Sequence, residues 1–204
     1  MKPLVNDFSI QVATVNGSGS QTANTVLLRA IFQMGIPVSG KNLFPSNIAG
    51  LPTWFTIRAS KDGYVARRRE NDITVIMNPE TAAADAAAAA PGGMIIHTDQ
   101  IKLPPVPDDR AVYAVPMGKL MENVTKDVKL RRLVVNMIYV GVLGQLLGID
   151  EVEIDRALDG QLGHKPRALE LNLLAVRAGF NPLLTQCLRE PSSKFTIRVF
   201  AARS

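Results

Sequence analysis

The chain has 204 residues, 47% of them hydrophobic and 20% charged, which is ample material for a buried core and rules out global disorder. Its formal charge of +5 is too mild to mark a nucleic-acid-binding protein without a clustered patch. With one cysteine, Cys187, and two histidines, the chain alone offers no disulfide, no all-cysteine iron–sulfur ligation and no zinc ribbon, and a reducing, cytoplasmic compartment is expected.

No stretch approaches the roughly 18 uninterrupted apolar residues of a membrane helix, and no apolar segment precedes Asp7, so neither membrane association nor a signal peptide is expected. In chain order, Phe8 to Val15 reads as a strand and Asn16-Gly17-Ser18-Gly19-Ser20 as a small-residue loop. Thr22 to Met34 carries an apolar stripe at the helical period, stopped by Gly35 and Pro37. Ile36 to Val38 reads as a short second strand and Lys41 to Gly50 as a loop. Thr53 to Ala59 reads as a strand, with Tyr64 to Arg67 as its hairpin partner after the Lys61-Asp62-Gly63 turn. Ile73 to Met77 reads as a buried strand. Glu80 to Ala90 reads as a peripheral alanine-rich helix ended by Pro91-Gly92-Gly93. Met94 to Ile96 and Ala111 to Val115 read as strands. Helices are expected over Met117–Val128, over Lys129–Leu147, from Asp150, and over Pro166–Ala178 closed by Gly179, with Phe195 to Phe200 as a candidate edge strand. The fold class is α/β: a Rossmann-like open mixed sheet flanked by helices, with a helical C-terminal portion. Residues 1–180 are expected to form the domain and 181–204 a tail.

The strand–loop–helix unit at Gly17-x-Gly19 is the first candidate site. Small residues let an anion approach the backbone, the unpaired N–H groups at a helix start donate to it, and the helix dipole favours negative charge. A dinucleotide fingerprint is incomplete: Thr22 stands where a third glycine belongs, and Val38 to Asn42 carries no ribose-binding carboxylate. The run Gly35-Ile36-Pro37-Val38-Ser39-Gly40-Lys41-Asn42 mimics a P-loop, but Asn42 replaces the magnesium-binding hydroxyl and Gly35 ends a helix rather than a strand.

Taken together, several segments resemble the gamma subunit or gamma domain of 2-oxoacid:ferredoxin (acceptor) oxidoreductases, and most of all the gamma domain that begins the large subunit of 2-oxoglutarate:ferredoxin oxidoreductases. They are Gly17-Ser18-Gly19-Ser20-Gln21-Thr22-Ala23-Asn24, Met34 to Val38, Lys41 to Phe55 (with Phe44-Pro45-Ser46-Asn47-Ile48-Ala49-Gly50-Leu51-Pro52-Thr53 at its centre), Asn78 to Thr81, Pro91-Gly92-Gly93 and Asn136 to Gly141. Ser20 and Thr22 depart from the glycines that many gamma subunits carry, and Ala49 stands in place of a polar residue. The resemblance implies an enzyme complex that decarboxylates a 2-oxoacid oxidatively to acyl-CoA, using thiamine diphosphate with Mg2+, iron–sulfur clusters and coenzyme A. It implies alpha- and beta-type partner subunits and ferredoxin or another electron acceptor, with this chain inactive alone. No cofactor is expected to be held by this chain by itself, and no metal. The cofactor-binding residues it implies are Gly17, Ser18, Gly19, Ser20, Gln21, Asn42, Ser46, Asn47 and Gly50, facing the coenzyme A side of an interface. No catalytic residue is assigned. Two other readings stay open: a non-catalytic α/β binding or assembly module, and an NADP-type reductase.

The remaining residues have paired readings. Asn42, Ser46 and Asn47 either face the cofactor or serve turn chemistry. Arg67-Arg68-Arg69 either pair with phosphates or form a solvated rim. Trp54 and Phe55 either stack on a base or pack, with at most one sharing a side with the loop. His97 and His164 are too isolated for a metal, and Cys187 has no base near it in sequence.

Overall fold

The computed structural model describes residues 4–45, 48–181 and 197–198. Its elements are β1 (Leu4–Val5), β2 (Asp7–Val15), α1 (Ser20–Gln33), β3 (Val38–Leu43), β4 (Pro52–Ser60), β5 (Asn71–Ile76), α2 (Ala82–Ala88), β6 (Ala89–Thr98), β7 (Ala111–Val115), α3 (Met117–Val124), α4 (Val128–Val134), α5 (Asn136–Leu147), α6 (Glu151–Leu162), α7 (Pro166–Gly179) and β8 (Ile197–Arg198). The main sheet has six strands in the order β3-β4-β2-β5-β6-β7. β4 is antiparallel to both β2 and β3, while β2, β5, β6 and β7 run parallel. The sheet is therefore mixed, as the sequence implies.

The alternation of β2 decides which face is which. Phe8, Ile10 and Val12 point to one face and join Val26, Leu27, Ile31, Ile57, Ile73 and Ile96 in the main core, together with much of α5. On the other face, Ile76 and Ile95 meet Ala82, Ala86 and Ala89 in a second, smaller cluster.

Five sequence expectations need correction. First, Lys41 to Leu43 is strand rather than loop, because the polar run from Ser39 to Asn42 is an edge strand held by backbone pairing to β4, not by apolar alternation. Gly40 sits in mid-strand, where a Cβ would lie 2.7 Å from the Phe55 ring and 2.8 Å from Leu28; its role is close packing of α1 on the sheet, not a phosphate loop. Second, Tyr64 to Arg67 is no hairpin partner, since both edges of β4 are already paired; the antiparallel part of the sheet comes from β3 and β4. Third, the alanine helix is shorter than expected and not peripheral: α2 ends at Ala88, Ala89 opens β6, and Ala82, Asp85 and Ala86 are buried. Alanine there lets the helix lie close to the sheet. Fourth, Lys129 to Leu147 is two helices, α4 and α5, bent by 41°. Fifth, the described part of the tail strand, Ile197–Arg198, pairs in parallel with Leu4–Val5 outside the main sheet. Cys187 lies outside the described residues. Among the described residues no single helix is long and apolar enough to cross a membrane.

α5 is buried along nearly its whole length, and glycines set how close α7 can come. A Cβ on Gly141 would lie 2.0 Å from the Val176 carbonyl oxygen, and one on Gly179 would lie 2.1 Å from that of Ile138. Gly179 is thus the last residue of α7, closing the helix as expected, and also a close contact with α5. Helix propensity alone would make Gly141→Ala stabilising by about 1 kcal/mol. The backbone clash has the opposite sign and is larger, so the variant is expected to be destabilised by about 2–3 kcal/mol net, read as a lower urea midpoint; an unchanged or raised midpoint would contradict this packing.

Candidate functional site

The loop after β2 is built by two left-handed glycines, Gly17 (φ 84°) and Gly19 (φ 81°), a conformation that costs a residue with a Cβ but not glycine. The bend is held from both sides. On one side Asn136, buried at the start of α5, donates its Nδ2–H to the Ser18 carbonyl oxygen at 2.7 Å. A Cβ on Gly19 would lie 2.4 Å from the Leu133 carbonyl oxygen. On the other side the segment before β4 closes on the loop: Asn16 N donates to the Leu51 oxygen at 2.9 Å, Gly50 N to the Asn16 oxygen at 3.0 Å, and Asn16 Nδ2 to the Ile48 oxygen at 3.1 Å. The two candidate loops are in direct contact.

Between them opens a cleft of about 290 Å3, lined by the loop, the first turn of α1 and the ends of β3 and β4. Of the sequence-derived candidates it brings together Gly17, Gly19, Ser20, Gln21 and Asn42. Ser18 and Gly50 are not in the lining: Ser18 turns toward α5, and Gly50 (φ 92°) braces the loop from behind. Ser46 and Asn47 lie outside the described residues. Trp54 and Phe55 both border the cleft because it opens over the strand end, although their side chains belong to opposite faces. Phe55 is in the main core, and Trp54 Nε1 donates to buried Asp85 Oδ1 at 2.8 Å.

Sequence reasoning missed Thr14, Asn16 and Asn24, which also line the cleft. Thr14 Oγ1 donates to Ser20 Oγ at 2.9 Å, tying strand to helix start. Asn24 follows Ser20 by four residues and so shares its helix face; that spacing was the available signal. Its Oδ1 accepts a 2.8 Å bond from the hydroxyl of fully buried Tyr139. Burial pushes the Tyr139 hydroxyl pKa upward, so the phenol stays a donor at all working pH.

Among the described residues the lining contains no charged side chain. Backbone N–H groups at the start of α1, amides and hydroxyls can bind and orient a polar or anionic group, but they hold no proton to exchange near neutral pH. Among the described residues no group of three or more His, Cys, Asp or Glu is placed to hold a metal. His97 is buried with Nδ1 2.9 Å from its neighbour's carbonyl oxygen, and His164 is exposed.

The sequence matches the pyruvate ferredoxin/flavodoxin oxidoreductase family over residues 9–181. The chain belongs to that family. Among solved structures it is similar to a 2-oxoglutarate:ferredoxin oxidoreductase from Magnetococcus marinus with 2-oxoglutarate, coenzyme A and succinyl-CoA bound (TM-score 0.83, 23% identity), covering 97% of this chain and 34% of that one. It is also similar to the gamma subunit of a keto/oxoacid ferredoxin oxidoreductase from Geobacter sulfurreducens (TM-score 0.67, 20% identity, covering 85% of this chain and 96% of that one). A third likeness is to the PORC subunit of pyruvate oxidoreductase from Thermotoga maritima (TM-score 0.66, 16% identity, covering 86% and 96%). This chain therefore spans about a third of the first structure's chain and nearly all of each gamma-type one. No curated protein matches it significantly.

The opposite face of the sheet gives this family member a different electrostatic character. Arg58, buried in β4, donates to the Phe8 carbonyl oxygen at 3.0 Å and pairs with Asp7. Arg68 reaches Asp7 at 3.0 Å and Asp72 at 3.8 Å. Partial burial alone would raise the Asp7 carboxyl pKa, but the hydrogen bonds and charges of the two arginines outweigh it and hold it below the ordinary 3.8.

Two predictions follow from these contacts. Tyr139→Phe leaves the buried Asn24 oxygen without its donor and is expected to destabilise the protein by about 1–3 kcal/mol, lowering the melting temperature by several degrees; no shift would show that water replaces the phenol. For Asp7, a folded-state pKa below 3.8 means that its stabilisation is complete above that value and is lost as pH falls through the lower folded one. Asp7→Asn should cost about 1–3 kcal/mol near pH 6, less than a fully buried pair because the carboxylate is 31% exposed. Urea titrations at falling pH below 3.8 should see the gap between wild type and variant narrow; a gap constant with pH would refute the pairing.

Proposed function

We propose that the chain is the gamma component of a thiamine-dependent 2-oxoacid:ferredoxin oxidoreductase complex, contributing the coenzyme A side of an interface that partner subunits complete. The observation that carries this reading is the neutral cleft at the Gly17–Gly19 bend. Family membership gives the class of chemistry, and the cleft gives a role compatible with it: binding and orientation without proton transfer. The relative from Magnetococcus marinus was solved with coenzyme A and succinyl-CoA bound, which makes coenzyme A the ligand to test first.

The residues fit a part of such a ligand and not the whole. A volume of about 290 Å3 lies at the lower limit for a small-molecule site, so the remainder of a cofactor that large must lie against another surface. Exposed Phe44, Ile48 and Leu51 beside the opening suit burial by a partner subunit. Gly19, Ser20 and Gln21 would present backbone donors, and Asn42 its amide. Thiamine diphosphate, when bound in such a complex, supplies the electron sink for the carbanion; its Mg2+ and the iron–sulfur clusters would be held by the alpha- and beta-type subunits, since this chain has one cysteine in all. Ferredoxin or another acceptor would then take the electrons from those subunits.

In a reconstituted complex, omission of the chain should abolish 2-oxoacid-dependent dye reduction in the presence of coenzyme A. Asn42→Ala should raise the KM for coenzyme A a few-fold to about tenfold, the worth of one or two hydrogen bonds, while leaving the KM for the 2-oxoacid unchanged. Full activity without the chain, or an unaltered coenzyme A KM, would defeat the proposal.

A further inference from the structure

α2 packs mainly against β5 and β6 and is only 7 residues long, so toward β3 the second face of the sheet is flanked instead by the segment after β4. There the sheet and the segment after β4 enclose a recess of about 330 Å3. Lys41, Arg58, Arg67 and Arg68 all line it. Among the described residues the carboxylates of Asp7 and Asp72 form ion pairs only with Arg58 and Arg68, which leaves two of the four cations without one. Lys41 and Arg67 are exposed and have no ion-pair partner among the described residues. Arg58 is only 5% exposed, and its Nε makes no hydrogen bond. That Nε is closed off from solvent, so the charge open to a ligand comes from the rim of the recess.

We infer that this recess binds the phosphate group of a small phosphate ester, with Lys41 and Arg67 closing over it from the rim. Two observations favour a small anion over an acidic segment of a partner protein. The volume suits one compact group, and the two cations without an ion pair match the charge of a phosphate monoester near neutral pH. The site is separate from the neutral cleft. Ser9, Thr56 and Arg58 alternate with Phe8, Phe55 and Ile57, which face α1, so the recess lies across the sheet from Asn24 and Ser20. The inference does not depend on the function proposed above.

The test is calorimetric titration of the full chain with inorganic phosphate and with glycerol 3-phosphate, at fixed ionic strength, for the wild type and for Lys41→Ala/Arg67→Ala. Both changes are at exposed positions, so the fold should survive, which an unaltered circular dichroism spectrum and urea midpoint would establish. Saturable binding of both probes is expected, weakened at least about tenfold in the double variant. Coenzyme A serves as competitor. If it displaces phosphate from the wild type, the cofactor's own phosphates are the source; if it binds without displacing phosphate, a separate phosphate ester is. Absence of saturable binding, or equal binding by wild type and double variant, overturns the assignment. So does selective binding of poly-glutamate with no response to either phosphate, which would give the recess to a protein partner.

Discussion

The candidate site depends on one contact, the Asn136 amide against the Ser18 carbonyl. A loop with two left-handed glycines has no single preferred shape, because the residues that permit the bend also permit others. Asn136 removes that freedom by bonding the loop backbone at 2.7 Å from a buried position, while Gly19 lets the Leu133 carbonyl come where a side chain would stand. The break between α4 and α5, a bend of 41°, lies in the same stretch: the Leu133 carbonyl on one side of it and the Asn136 side chain on the other both meet the loop. The glycines of α5 then let α7 press the helix home. Site and core are therefore one packing problem.

Legibility in the sequence follows the range of the forces involved. The β2–loop–α1 unit was readable because its signals are local: apolar alternation, then glycines, then a stripe at the helical period. β7, α6 and α7 were readable for the same reason. β3 was not, because an edge strand with one paired side needs no apolar pattern, and Ser39-Gly40-Lys41-Asn42 looks like a loop to any local rule. The split of the long helix was hidden because its hydrophobic period continues through Val135; a hydrogen bond across more than a hundred residues leaves no trace in the neighbourhood of Asn136.

The site itself was half legible. Gly17, Gly19, Ser20, Gln21 and Asn42 were singled out from motif and resemblance and do share a cleft, whereas Ser18, in the same motif, turns toward the start of α5 instead. Asn24 was overlooked because a polar residue on a helix is ordinarily solvated; only the Tyr139 hydroxyl, brought by a distant helix, makes it a fixed acceptor. Arg58 was overlooked for the converse reason. A cation in a strand reads as exposed, and here it is buried by Asp7 and by carbonyl groups of neighbouring strands.

The two faces of the sheet divide their polar work by charge. On the α1 side the donors are neutral, and several are held by a second group: Asn24 by Tyr139, Ser20 by Thr14, the bend by Asn136. Fixed neutral dipoles can orient a ligand without shifting with pH, which suits a surface that positions chemistry carried out by other groups. On the far side the donors are cationic, and two of the four are free of carboxylates. Such charges attract anions over a longer range and respond to ionic strength. A chain built for one ligand would have little reason to gather two cations without ion pairs around a recess on the face away from it, and that excess is the physical ground for expecting the second face to be occupied in its own right.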